Sequence, residues 1–445
     1  MSSYTAAKTK NIPWWIPTVY LGEGLPYFAV NVLAVALYTN LGVGVKEMTF
    51  WTSLLSLPWV IKPFWAPIVD IIATKRKWVL SMQLVMAALM ALITFLIPMP
   101  FYFSATLGAF FVLAFLSATH DIAADGYYML ALTHHQQAAY SGLRNTFYRI
   151  AAVAAQGGLI ALAGHFHDNA GLSYTRSWSY IFALLAAVYT CIYIADRFLM
   201  PKPESDRQNH EKSIGDILRD FGDTFVTFFT KRHIVVALLF MLFYRLPEAL
   251  LSKILFPFFH ASRADGGLAL SDQQIGLGYG FIGVIALLAG GILGGICVSM
   301  GGLKKWLWWM ALSLTIPSGF YCYLAMAQPD NIWLINAGIG IEQFGYGFGF
   351  TAYMLYLIYF CEGKYKTSHY AFCTGIMALG MMLPGMASGW LLEHLSSYRF
   401  FFDTTGPTGY VNFFWFMMAT AVLTFAVCYL VKIPADFGKK TTGKK

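Results

Sequence analysis

Apolar stretches long enough to cross a hydrocarbon layer recur twelve times along these 445 residues, and most loops between them are only a few residues long. A bilayer core of about 30 Å takes about 20 apolar residues as helix, and backbone polar groups inside it must be satisfied internally. The spacing therefore predicts an all-α membrane protein with 12 transmembrane helices over residues 13–40, 48–72, 78–98, 103–132, 139–164, 178–199, 233–260, 272–299, 304–327, 331–361, 367–393 and 410–432. Composition agrees: 12% of residues are charged, against about 25% in an ordinary soluble domain. The polar start Met1–Asn11 runs into an apolar span too long for a signal peptide and has no small-residue cleavage site behind it, so the first helix is expected to stay.

Basic residues assign the sides. Of the 30 Lys and Arg, only Lys46, Arg176, Arg263 and Arg399 fall in loops on one side, while Lys75-Arg76-Lys77, the stretch 197–232, Lys304-Lys305 and the terminal lysines fall on the other. By the positive-inside rule both termini are cytoplasmic. The net charge of +8 is thereby a topology signal and adds nothing to a nucleic-acid reading. One long polar segment, residues 200–232, divides the chain into a six-helix bundle at 1–199 and another at 233–445. Residues 213–230 within it are amphipathic at helical spacing and are expected to lie along the cytoplasmic surface. The halves echo each other: at an offset of 225, Glu23 falls on Glu248 and Tyr128-Met129-Leu130 on Tyr353-Met354-Leu355. A 6+6 pattern with parallel repeats predicts a transporter whose substrate site lies between the halves near the midplane.

Charges inside the spans mark that site. An ionised Asp at bilayer depth costs about 2.5–3.5 kcal/mol on the insertion scale, so Asp121 and Asp125, which share one face of a predicted helix at i,i+4, are the first candidates for binding the coupling proton, with Glu23 and Glu248 beside them. Ion pairing with Arg144 or Arg149 is the competing reading of the two aspartates. These arginines are five apart, about 140° around a helix, and cannot face one partner. Arg149 is the better anion binder, because a guanidinium grips carboxylates and phosphates bidentately; Arg144, Lys62 and Asp70 read as gating charges. Arg245 and Glu248 can pair locally at i,i+3. Glu342-Gln343 forms a further polar site beside Gly345, Gly347 and Gly349, a stripe that favours tight helix packing. Tyr27, Asn31, Tyr148, Gln156 and Tyr353 are candidate hydrogen-bond or stacking partners for sugar rings.

The segments Leu57-Pro-Trp-Val-Ile-Lys-Pro-Phe-Trp-Ala-Pro-Ile-Val-Asp70, Phe115-Leu-Ser-Ala-Thr-His-Asp-Ile-Ala-Ala-Asp-Gly126 and Phe243-Tyr-Arg-Leu-Pro-Glu-Ala249 resemble the signatures of AmpG-like muropeptide permeases and their acetyl-coenzyme A transporter relatives. The resemblance covers essentially the whole helical chain. It implies a major facilitator fold of two six-helix bundles, proton-driven transport, and uptake of an anhydro-muropeptide or related amino sugar across the bacterial inner membrane, with no cofactor. This chain differs from the family pattern at His120, ahead of Asp121-Ile122, and at Glu23, ahead of Gly24-Leu25-Pro26.

Enzyme motifs are missing: no HExxH, no GxSxG, and a tail at 438–445 that imitates a phosphate loop without its Ser or Thr. His134-His135 lack further ligands at metal spacing, and the six cysteines read as small apolar fillers with neither disulfide nor metal role. The expectation is a monomer in the lipid bilayer whose partners are a small-molecule substrate and protons. Alternative readings are a carrier of another glycan fragment or disaccharide, an acetyl-coenzyme A carrier, and a membrane receptor that does not transport.

Overall fold

A computed structural model describes residues 13–203, 214–363, 366–397 and 409–439, and these are helical without strands. Ten segments are long and apolar enough to cross a membrane: Trp15–Asn40, Lys75–Leu96, Tyr102–Ala131, Gly142–Asp168, Tyr174–Leu199, Ile234–His260, Asp272–Gly301, Leu303–Ala327, Ser368–Leu395 and Gly409–Leu430. Two further predicted spans are also helical. One is the pair Val45–Leu54 and Leu57–Ile72, interrupted ahead of Pro58; the other is Ile332–Phe360.

Several helices are interrupted where they approach the interior. Pro247 has no N–H to give and crowds the carbonyl four residues back; the chain accordingly stops at Phe243, turns through Tyr244 and Arg245, and restarts as Leu246–Leu251 and then Leu255–His260. Wider turns of the π type occupy Ala29–Leu33, Val153–Leu159 and Gly276–Gly283. Such turns shift the hydrogen-bond ladder by one and free a carbonyl. Within the first of these turns the Asn31 carbonyl accepts from Lys253 Nζ, on the interrupted 234–260 segment, at 2.9 Å.

The buried apolar residues form three clusters. One runs from Leu25 to Met417 and takes residues from both ends of the chain; a second is confined to Trp15–Met200 and a third to Phe228–Ile433. The shared cluster lies toward the turns at 41–44, 169–173 and 261–271. Polar contacts between residues 13–199 and 233–430 gather at the same end: Asn40 Nδ2 donates to Asp272 at 2.5 Å, Gln273 Nε2 to Asn169 at 2.6 Å, and Lys46 faces Glu393 at 3.8 Å. Among the described residues, the separate clusters lie toward the opposite end, where apolar packing shared by the two parts gives way to packing within each. The Ile214–Phe229 helix joins the third cluster through Phe228, which packs on Phe360 and Phe372.

At the joined end the turns Val153–Leu159 and Gly276–Gly283 meet backbone to backbone. A Cβ at Gly280 would fall among the backbone atoms of Gln156 and Gly157. Overpacking of this kind costs about 1–3 kcal/mol, and here the cost falls only on the arrangement that brings the turns together. Gly280→Leu should therefore reduce the population closed at this end by roughly 5- to 150-fold. The check is oxidative crosslinking of cysteines replacing Asn169 and Gln273, efficient in the parent and weak in the Leu variant. The stripe Gly345, Gly347 and Gly349 serves packing in the same way, set against the backbones of Ser313, Leu287 and Met310.

Candidate functional site

Five charged side chains from four helical stretches converge on the open side. The Tyr102–Ala131 helix presents Asp121 and Asp125 one turn apart. Lys62 of Leu57–Ile72 pairs with Asp121, and Arg144 of His134–Ala152 pairs with Asp125 at 2.7 Å. Tyr20 Oη donates to the same Asp125 oxygen at 3.3 Å, and the Arg144 guanidinium stacks over the Tyr20 ring at 4.6 Å. Glu23, on Trp15–Phe28, completes the group: one oxygen each of Glu23, Asp121 and Asp125 lie within 4.8 Å of one another. Gly24 permits this approach, since a Cβ there would press on Ala151 at 2.5 Å and on the Tyr148 carbonyl at 3.2 Å.

The charges do not cancel. Three carboxylates face two cations, both cations are engaged by the aspartates, and Glu23 Oε2 is buried without a hydrogen-bond partner. Like charges this close repel one another. The three carboxylates carry one more negative charge than the two cations supply, and their oxygens lie close enough together to share a proton or a small cation. Access exists, because the Asp121 and Asp125 side chains remain 19% and 35% exposed in the middle of the protein.

A second charged group descends from the interrupted 234–260 segment. Arg245 Nη2 donates to Glu248 at 2.9 Å and to Tyr346 Oη at 2.6 Å, and its guanidinium lies over Phe350 at 4.6 Å. Glu342 is buried nearby, accepting from Tyr321 Oη at 3.0 Å and Gln343 Nε2 at 2.8 Å. Tyr27 stands between the two groups, within electrostatic reach of Arg245, Glu248, Arg149 and Asp121. Arg149 acts likewise on Tyr148 and on Tyr346 across the gap. Among the described residues, Arg149 has neither an ion-pair nor a hydrogen-bond partner.

The remaining sequence candidates divide by what already occupies them. Asn31 spends its amide on the Tyr27 carbonyl and on Ser56, and Tyr353 donates to the Met241 carbonyl at 2.7 Å inside an aromatic stack. Gln156 forms no hydrogen bond among the described residues. Lys62 and Arg144 bind the two aspartates themselves, where the sequence reading has them as gating charges. The side chains of Asp70, His134 and His135 lie outside the described residues. Sequence reasoning missed Lys253, whose ammonium crosses between the two parts of the chain to backbone acceptors alone. Cys361 and Cys373 are both free thiols, and the sequence reading did not place the 3.2 Å contact in which Cys361 Sγ donates to Cys373 Sγ.

These features have counterparts in known proteins. The Major Facilitator Superfamily profile matches residues 18–360. The anhydromuropeptide permease of Escherichia coli K12 is 22% identical over 409 residues, covering 90% of this chain and 75% of that protein. A transporter named AmpG 4 in Rickettsia conorii is 25% identical, covering 86% of this chain and 90% of its own. Among solved structures, a D-xylose-proton symporter superposes with a TM-score of 0.68 at 11% identity over 96% of this chain and 98% of that one, and a mutant of the nucleoside transporter NupG with 0.67 at 15% over 95% and 100%. At such identities these structures speak for the fold alone. Sequence profile and fold agree: this chain is a transporter of the Major Facilitator Superfamily, similar in sequence to the AmpG permeases.

Proposed function

We propose that this protein imports an anionic amino-sugar ligand of the anhydro-muropeptide type into the bacterial cytoplasm, driven by the proton gradient. The observation that carries the coupling is the charge count at Glu23, Asp121 and Asp125: three carboxylates, two cations, and a site open to water. The ligand class is supported by the likeness to the Escherichia coli permease and by Arg149, whose guanidinium has no ion-pair or hydrogen-bond partner among the described residues and shares the electrostatic reach of Tyr27 with Arg245.

In this reading residues 1–199 and 233–445 are two bundles that rock about the central site, with 200–232 as a cytoplasmic tether. The basic loops at 75–77, 231–232 and 304–305 lie at the end away from the shared cluster, which supports reading that end as cytoplasmic and this conformation as inward-facing. A proton taken at the acidic group from the outer face would discharge its excess negative charge and permit the swing inward with ligand held at Arg149. Asp70, outside the described side chains, keeps its proposed part as a latch. The protein acts as a monomer.

The test is uptake of labelled N-acetylglucosaminyl-anhydro-N-acetylmuramyl peptide into proteoliposomes under an imposed pH gradient. Accumulation is expected with the parent and not with Asp121→Asn or Asp125→Asn. Arg149→Ala should lower affinity by roughly 10- to 150-fold, the worth of a charged hydrogen bond of about 1.5–3 kcal/mol. A sodium gradient is the second arm, because three oxygens within 4.8 Å also suit a monovalent cation. Accumulation driven by sodium and indifferent to pH would move the coupling ion and leave the site in place.

A further inference from the structure

Next to Asp121 of the acidic group, His120 ends a buried polar chain that the transport reading leaves unused. Asp196, near the end of Tyr174–Leu199, is 0% exposed. Its Oδ2 accepts from Gln83 Nε2 at 2.7 Å and its Oδ1 meets the Thr18 hydroxyl. Gln83 Nε2 also lies 3.3 Å from His120 Nε2, and Thr18 Oγ1 lies 3.1 Å from the Trp15 carbonyl.

Every partner of Asp196 is neutral. On its own helix stand Tyr189, which donates to the Gly22 carbonyl at 2.7 Å, and Tyr193 with the exposed Arg197. From Lys75–Leu96 come Gln83, Lys75, which lies against Gly126, and Arg76, which donates to the carbonyls of Arg197 and Met200. Trp15–Phe28 brings Thr18 and, one turn on, Glu23; Tyr102–Ala131 brings His120. Among the described residues, no cation contacts Asp196. A buried carboxylate without a cation carries a desolvation cost that the neutral acid avoids, and the hydrogen-bond partners of Asp196 are one hydroxyl and one amide.

Counting hydrogens resolves the arrangement. The two amide hydrogens of Gln83 serve Asp196 Oδ2 and His120 Nε2. The single Thr18 hydrogen has two claimants, the Trp15 carbonyl and Asp196 Oδ1. If Asp196 is ionised, one of these contacts is left without a hydrogen. If Asp196 carries the proton, its O–H donates to Thr18 Oγ1, Thr18 donates to Trp15, and each contact from Trp15 to His120 has one hydrogen.

We infer that Asp196 is a second proton-binding site of this protein, held as a neutral carboxylic acid by Thr18 and Gln83 in the conformation described. One cavity carboxylate adjoins this chain in sequence, Asp121 following His120, and Gly22, which precedes Glu23, lies against Gln83. Any share of Asp196 in transport rests on the proton-coupled reading; its protonation does not.

The test is infrared difference spectroscopy on the purified full-length protein at neutral pH. Subtracting Asp196→Asn from the parent should leave one carboxylic-acid carbonyl band. Asparagine reproduces the neutral acid's donor and acceptor, so the variant should melt at the parent temperature. If Asp196→Asn does not fold, Thr18→Val gives the same answer, because losing the acceptor of the acid hydrogen shifts that band to higher frequency. A carboxylate pair in place of the acid band, or an acid region unchanged by Thr18→Val, overturns the inference. Failure of proton coupling would appear elsewhere, as pH-independent uptake with the Asp196 band intact.

Discussion

Glu23→Gln should abolish gradient-driven accumulation while leaving ligand exchange across the membrane intact. Glu23 is the member of the acidic trio whose outer oxygen has no partner, since Lys62 and Arg144 are taken by the aspartates. Glutamine keeps its shape and fixes the site at the charge it has when filled. A carrier so fixed can still turn over with ligand on both sides, but it cannot draw work from protons. One pH unit is worth about 1.4 kcal/mol, or tenfold accumulation per proton carried. The parent should approach that ratio in proteoliposomes under a one-unit gradient, and the variant should stop near equality. Uphill accumulation by Glu23→Gln would remove Glu23 from the coupling site and return the role to the aspartate pair.

The largest stability effect is expected at Arg245. Its guanidinium is 9% exposed, bonded to Glu248 and Tyr346, and covered by the Phe350 ring. Removing one member of a buried pair strands the other charge and costs about 3–5 kcal/mol, so Arg245→Leu should lower thermal stability sharply and reduce the yield of folded protein. Replacing both partners removes the stranded charge, and Arg245→Leu with Glu248→Leu should recover most of the loss in melting experiments. If the double variant is as stable as the parent but does not bind ligand, Arg245 belongs to the ligand site as well as to the fold. If the double variant is no better than the single, the cation over the aromatic rings outweighs the ion pair.

Much of the architecture was legible in the chain because hydrocarbon thickness leaves little choice. Each of the twelve predicted spans begins or ends within a few residues of a helix found, and the linker helix expected at 213–230 appears as Ile214–Phe229. The interruption at Leu55–Ser56 was harder to see, although Pro58 marks it, because the apolar run continues through it. Within the site, residue types were easier to read than partners. Asp121 and Asp125 drew attention as carboxylates in an apolar helix, yet the cation on Asp121 comes from Lys62, 59 residues earlier, and helical spacing carries no information at that range. Asn31 and Tyr353 were at the right depth but spend their polar atoms elsewhere, Asn31 on the Tyr27 carbonyl and the Ser56 hydroxyl, Tyr353 on the Met241 carbonyl. Depth follows from hydropathy, while the direction of a hydroxyl follows from packing. Asp196 escaped for a related reason: three residues from the end of a span, it looks like an interfacial charge, and only the fold puts it out of water.

The Lys253 contact has a consequence for genetics. Its ammonium reaches from one part of the chain to the carbonyls of Asn31 and Thr52 on the other, and a carbonyl is present whatever side chain the residue bears. Substitution at 31 or 52 cannot delete the acceptor, and no charge reversal there can rescue a lesion at 253. The cross-link is thus a one-sided mutational target, lost through a single codon and restored by reverting it or by replacing that lysine with another long-chain donor.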